Sequence, residues 1–550
     1  MKRGALLPLI LVPGLAVPLM APPALADPRP ETPVRSIDWG ACEEEVAGAE
    51  CGTLAVPLDW DAPDGEAIDL ALARIPAGDP DARIGSLVIN PGGPGGSGVD
   101  FALYATEVFS PEVLARFDIV GFDPRGVGRS NPVVCSLDVL QDNPGPLFEN
   151  RAALDARVAY NEVLRQDCRE NTGPLYDHVD SLSVVHDIDA IRAAVGDERL
   201  TFFGVSYGTL MGQQYAQAYP DRVRAIVLDS VMDHDLDTRE YLSTQAEAAQ
   251  DVFDAFVAWC EGSTQCALSG QDPRALWTDL LKRADAGELV VPEIPEDPWV
   301  VTAEDLIGMA FSSGYGPDWH DFASTLAWLD DPEGVEFPEG AGFPEEESGP
   351  LGPQDAAAAG GSAQADEGSA DQLVPYAYPA VLCNDYALPV RGYGDWSALM
   401  RGNQRQVAPD VRYGMLAVDD VASCLGHEEV RNPQAPADAS GSEPLLVINS
   451  LHDPATGYNW AVNLAEQLGD DGVLVTYEGT GHAVYGRTEC TTEVVDEYLV
   501  HERLPAEGTR CAAAPVDVEE DTALLEALPQ SGADTLADVV SRIRGADARE

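Results

Sequence analysis

The chain is short of basic residues. Only 32 Lys and Arg stand against 94 Asp and Glu over 550 residues, for a formal charge of −62. A surface this acidic repels phosphate, which excludes nucleic acid and anionic lipid as partners. Past its amino terminus the chain also lacks any apolar run long enough to span a bilayer, so no stable membrane insertion is expected. No C-x-x-C motif with a partner pair occurs, which argues against a zinc site, and neither a metal nor an organic cofactor is expected.

What is present begins with a leader. Lys2 and Arg3 precede an apolar stretch broken by prolines, then Ala24-Leu25-Ala26. This is the pattern of a signal peptide spanning 1–26, cut after Ala26, and it directs the protein to the periplasm or the cell exterior. Losing Lys2 and Arg3 leaves 30 basic residues against 94 acidic ones, hence −64. The ten cysteines of an exported chain imply up to five disulfides. Pairing between sequence neighbours is the expectation: Cys42 with Cys51, Cys135 with Cys168, Cys260 with Cys266, Cys383 with Cys424, and Cys490 with Cys511.

Two extended stretches, CGTLAVPLDW and AIDLALARIPA, read as an opening antiparallel pair. Strand-like and helix-like segments then alternate: GSLVIN, FDIVGFD, VVHDIDAIRAAVG, RLTFFGV, YGTLMGQQYAQAYP and VRAIVLD. Such alternation implies an α/β fold, with a mostly parallel sheet covered by helices on both faces. The pattern stops near Asp233 and resumes with PLLVINSLHD, TGYNWAVNLAEQLG and GVLVTYEGTGH. The organisation expected is therefore a core over 27–233 and 444–511, interrupted by a large, mainly helical lid over 234–443. Residues of about 332–371 in that lid are mostly Gly, Ala, Ser, Pro and acids, a composition that reads as a disordered loop. An acidic tail with one weak amphipathic helix occupies 512–550.

The stretch NPGGPGGSG from Asn90 follows a strand and contains G-x-G-x-x-G at Gly93, Gly95 and Gly98. That spacing suits a dinucleotide cradle or an oxyanion hole, two different enzyme classes. A downstream motif decides between them. Gly204-Val205-Ser206-Tyr207-Gly208 is G-x-S-x-G at a strand-to-helix turn, where flanking glycines let a strained serine project its hydroxyl. A serine nucleophile needs a base held by an acid, and in such sheets the order is Ser, Asp or Glu, then His, each past a strand end. Asp453 and His482 fit that order. His452, His427 and Asp229 are rivals that do not combine spacing with strand-end placement. The glycine loop then becomes the oxyanion hole, with Gly93 as donor, Gly92 next in rank, and the amide of Tyr207 as second donor. Pro91 and Pro94 speak against the dinucleotide reading.

NPGGPGGSG, FDPRGVGRS, FFGVSYGTLMGQQYAQAYPDRV, VINSLHDPATGY and EGTGHAVYG together resemble the secreted tripeptidyl aminopeptidases and their prolyl-iminopeptidase relatives, serine hydrolases of the α/β-hydrolase fold. The resemblance runs from about Cys42 to Cys511. It implies an oxyanion loop at Gly92, Gly93 and Pro94, and a triad of Ser206, Asp453 and His482. It also implies a triad-supporting hydroxyl at Thr456. The D-x-R-G-x-G-x-S turn at Asp123, Arg125, Gly126, Gly128 and Ser130 is expected to brace the elbow. Pro91 stands where the iminopeptidases have histidine, which favours the tripeptidyl branch. The implied activity is a serine exopeptidase acting on peptide substrates with a free amino terminus. Such a terminus calls for a buried carboxylate in the lid, and Asp385 in VLCNDY is the candidate. An exported esterase or lipase-like hydrolase using the same triad is the alternative, and a noncatalytic binding protein a more distant one.

Overall fold

GSLVIN, FDIVGF and LTFFGV are apolar at nearly every position, and in the computed structural model each of these strands is buried from end to end. The structure describes residues 36–43, 46–291, 299–332 and 372–516. The leader, the acidic loop beyond residue 332 and the tail helix lie outside those residues.

Ten strands form one sheet: β1 (Gly40–Ala41), β2 (Glu50–Pro57), β3 (Ala67–Ile75), β4 (Gly85–Asn90), β5 (Phe117–Phe122), β6 (Leu200–Val205), β7 (Val223–Asp229), β8 (Leu445–His452), β9 (Gly472–Thr480) and β10 (Arg510–Cys511). Their order is β1-β2-β3-β5-β4-β6-β7-β8-β9-β10. The first three strands and the β3–β5 pair are antiparallel, as expected of the opening hairpin. From β5 onward every pairing is parallel. Side chains alternate between faces along each strand, which divides the interior in two. Val88, Phe202, Ile226 and Val447 join one core, and their neighbours Ile89, Phe203, Val227 and Ile448 join the other.

Helices cover both faces. Those that position the site are α1 (Gly98–Leu103), α2 (Arg151–Thr172), α3 (Ser181–Val195) and α4 (Gly208–Ala218). The chain between β7 and β8 leaves the sheet and builds a helical layer: α5 (Thr238–Gly262), α6 (Pro273–Asp285), α7 (Ala303–Ser312), α8 (Trp319–Asp330), α9 (Tyr378–Asp385) and α10 (Met415–Cys424). α5 opens on a capping box, with Asp237 and Glu240 each bonded to the other's backbone. The lid's apolar residues, among them Trp277, Phe322 and Val421, belong to the same core as one face of the sheet. A short strand, Leu373–Pro375, pairs with Val134–Ser136 of the core part and pins the lid to it. Past the lid, α11 (Tyr458–Leu468) and α12 (Glu489–His501) flank β9.

All ten cysteines are bonded, in the neighbour pairing expected. Cys383–Cys424 ties α9 to α10, and that pair of helices walls the site. Among the described residues no helix is long and apolar enough to cross a membrane.

Candidate active site

Ser206 sits between β6 and α4 with φ +56°, a left-handed conformation that a non-glycine residue adopts at a cost of about 1–3 kcal/mol. The glycines around it answer to close packing. A Cβ on Gly204 would lie 2.6 Å from the carbonyl oxygen of Gly208, and one on Gly208 would lie 2.6 Å from Asn90 Oδ1. The turn is fastened from below, where the Ser206 N–H donates to the Asp229 carbonyl at 2.9 Å. Thr209 Oγ1 donates to the Ser206 carbonyl at 2.6 Å.

The expected acid and base meet. His482 Nδ1 lies 3.1 and 3.0 Å from the two carboxylate oxygens of Asp453. Asp453 Oδ1 also accepts from the amides of Ala455 and Thr456, each at 2.9 Å. Thr456 Oγ1 donates to Asp453 Oδ2 at 3.1 Å and lies 3.4 Å from His482 Nδ1. The acid is thus held by three donors besides the imidazole, and Nδ1 is committed to it. That leaves Nε2 as the ring nitrogen able to exchange a proton.

His482 is itself clamped between core and lid. Its N–H donates to the Tyr315 carbonyl at 2.9 Å, and the Tyr315 ring stands edge-on to the imidazole at 5.1 Å. Arg487 donates to the carbonyls of Tyr315 and His482, both at 3.0 Å. No motif in the sequence announced this clamp. The rival acid Asp229 accepts from the amides of Val484 and Tyr485, so it shapes the loop after His482. Burial pushes its carboxyl up to about 6. The rival histidines lie elsewhere: His452 Nδ1 pairs with Asp251 on the lid helix α5 at 2.6 Å, and His427 contacts the Glu429 carbonyl at the surface.

The glycine loop packs against the elbow. Gly92 has φ +89°, and a Cβ there would lie 2.5 Å from the Val205 carbonyl oxygen and 2.8 Å from the Tyr207 nitrogen. The Gly92 N–H already donates to Asn90 Oδ1 at 2.9 Å, which favours its neighbour Gly93 as the oxyanion donor. The Asp123–Ser130 turn braces this loop and the first hairpin, not the elbow. Asp123 accepts from Ser97 Oγ at 2.5 Å and the Val99 N–H at 3.1 Å, at the start of α1. Arg125, fully buried, forks onto Asp187 of α3 and donates to the carbonyls of Pro57 and Leu58.

Gly93, Ser206, Tyr207, Met232, Ala455 and Thr456 line a cleft whose other walls come from the lid and from Trp460 of α11. Asp385, the expected amine anchor, is not among its lining residues. It lies behind Tyr207, whose hydroxyl donates to it at 2.7 Å, and it accepts further from Ser181 N and Oγ and from Asn432 Nδ2. Of α9, Tyr378 and Leu382 reach the cleft, whereas the Asp385 carboxylate in its last turn is taken up by Tyr207, Ser181 and Asn432. Asp420 of α10 does line it, accepting from Tyr241 Oη at 2.8 Å and Tyr378 Oη at 2.7 Å. Burial pushes the Asp420 carboxyl up to about 7. Its one sequence signal was an acid inside an apolar helical stretch, MLAVDDVASC.

A family model described as the alpha/beta hydrolase fold matches residues 85–328, and one described as TAP-like protein matches residues 409–511. Serine protease Hip1 of Mycobacterium tuberculosis is 34% identical over 506 residues, covering 86% of this chain and 91% of its own. Carboxylesterase B of the same organism is 32% identical over 494 residues, covering 86% and 89%. Tripeptidyl aminopeptidase of Streptomyces lividans is 29% identical over 498 residues, covering 86% of each chain.

Proposed function

The chain belongs to the α/β-hydrolase family, with a TAP-like carboxyl-terminal region, and on that premise we propose that this serine hydrolase is an exported exopeptidase releasing short peptides, tripeptides foremost, from free amino termini. The observation that carries the reading is the setting of Ser206: a strained nucleophile in the wall of a cleft whose opposite side is built by the lid. A cleft enclosed in this way suits a short chain better than a folded one. Five disulfides and the leader support export.

In this reading Ser206 Oγ bonds to the scissile carbonyl carbon while its proton passes to His482 Nε2. Asp453 and Thr456 hold the imidazole with Nδ1 toward the acid, and Asp453 stabilises the imidazolium that forms. The amides of Gly93 and Tyr207 receive the oxyanion. Collapse breaks the C–N bond as His482 returns the proton to the leaving amine. Water then repeats the sequence on the acyl-enzyme, releasing the short peptide as its carboxylate and restoring Ser206. No step requires a cofactor.

The test is a matched set of chromogenic anilides with one, two or three residues before the leaving group, free or amino-blocked, beside simple nitrophenyl esters. Cleavage of free tripeptides alone, silenced in Ser206→Ala, is the expected result. Turnover of esters with no anilide cleaved would replace the peptidase reading with an esterase.

A further inference from the structure

Most buried acids in this molecule have partners that account for them. Asp187 is paired with Arg125, Asp453 with His482, Asp229 with two amides, and Asp385 with four donors. Asp420 differs from these in lining the cleft. It is only 3% exposed, yet its two hydrogen bonds come from neutral phenols, one to each oxygen. Each oxygen keeps room for a second donor. Among the described residues lining the cleft there is no Lys, Arg or His to offset the charge.

A second acceptor stands in the same wall. Gln245 is fully buried and its Nε2 donates to the Pro454 carbonyl at 2.8 Å, while its Oε1 has no hydrogen-bond partner. The surrounding surface is aromatic. Tyr241 stacks on Trp460 at 5.4 Å, and Tyr207, Tyr315 and Tyr378 also line the cleft. A desolvated carboxylate, an unpartnered carbonyl and several ring faces form the environment that an organic ammonium ion complements, through charge-assisted hydrogen bonds and cation–π contact.

We infer that Asp420, with Gln245 and the rings around it, seats the ammonium group of the substrate's free amino terminus. The inference rests on the exopeptidase reading above and moves the anchor from Asp385 to the other lid acid. The exopeptidase reading makes the cation an amino terminus, and the experiment separates it from a Lys side chain. Burial raises the Asp420 carboxyl to about 7, and an ammonium seated beside it stabilises the ionised form.

The experiment compares wild type with Asp420→Asn on three anilides: free Ala-Ala-Ala, its desamino analogue, and acetyl-Ala-Ala-Lys. p-Nitrophenyl acetate serves as the cation-free reference. Wild type is expected to favour the free over the desamino peptide about 10- to 100-fold in KM, and Asp420→Asn to erase that ratio. A ratio kept in the variant overturns the inference and leaves the exopeptidase reading standing. A wild type that turns over only p-nitrophenyl acetate overturns the exopeptidase reading, and the seat with it. Preference for the acetylated lysine substrate moves the cation to a side chain and overturns the assignment to the terminus. If Asp420→Asn does not fold, competition on wild type replaces it. Free tripeptide amide should inhibit ester hydrolysis at concentrations about 10- to 100-fold lower than its desamino analogue, and equal inhibition overturns the proposal.

Discussion

The elbow and the lid wall face each other across one cleft, yet they are built in opposite ways. The elbow is local: Ser206 and its glycines lie within five residues, and their strain is imposed by the turn they form. The lid wall is assembled at long range, from Tyr241 and Gln245 on α5, Tyr378 on α9 and Asp420 on α10. The difference teaches where each function can reside. On the proposed reading, chemistry needs fixed geometry and sits at the carboxyl ends of the parallel strands, while recognition needs a shape that can be varied without disturbing Ser206 and sits in the inserted layer.

Substitutions on the two sides should therefore fail differently. The largest effect is expected on the core side, at Gly92→Ala. Its φ of +89° and a Cβ 2.5 Å from the Val205 carbonyl would displace the loop from the elbow. A fall in kcat of about 10²- to 10³-fold, equal for anilides and esters, is expected from a misplaced oxyanion donor. Steady-state kinetics on both substrate classes checks it, and a loss confined to peptides would erase the distinction between the two sides.

Next comes the clamp that joins them. Arg487→Met frees the carbonyls of Tyr315 and His482, so about a tenfold loss in kcat/KM is expected, with a changed pH profile for the base and partial recovery in Arg487→Lys. A profile superimposable on that of wild type would make Arg487 a purely structural residue.

The buried acids offer a smaller, pH-dependent signature. Asp385 is pushed up to about 7 by burial and by nearby Asp180. Between its ordinary value of 3.8 and about 7 the folded protein holds a proton that the unfolded chain has released. Its contribution to stability is therefore full below pH 4 and declines as pH rises through 7. Asp229 and Asp420 act in the same direction. Asp385→Asn should flatten the decline of Tm between pH 4 and 7, and an unchanged slope would count against a buried, protonated Asp385. Smallest of all is His452→Ala. It removes a half-exposed pair with Asp251 and should cost less than about 1 kcal/mol in denaturant melts, less still at high salt.

The same contrast explains what could be read from the sequence. The placement of Ser206, Asp453, His482 and the glycine loop was legible because each lies at a strand end marked by apolar runs and turn residues. The disulfides were legible because neighbours in sequence remained neighbours in space. The long polar helix α2 was not singled out, and the three-residue strand that pins the lid is too short to leave a pattern. Asp385 was the natural choice of lid acid from sequence, standing two residues from Cys383, but its carboxylate is taken up behind Tyr207 by Ser181 and Asn432. Asp420 and Gln245 carry no motif, since their meaning arises only when α5, α9 and α10 come together. The Asp123–Ser130 turn was recognisable as a motif, while what it braces depended on where β5 delivers it.

The most direct test of the account is to follow the products of a long unstructured peptide over time by mass spectrometry. If the core cuts and the lid measures from the amino terminus, short fragments should leave in succession from that end, and an acetylated copy of the peptide should remain intact. Cleavage at internal bonds, or equal attack on the acetylated copy, would contradict it.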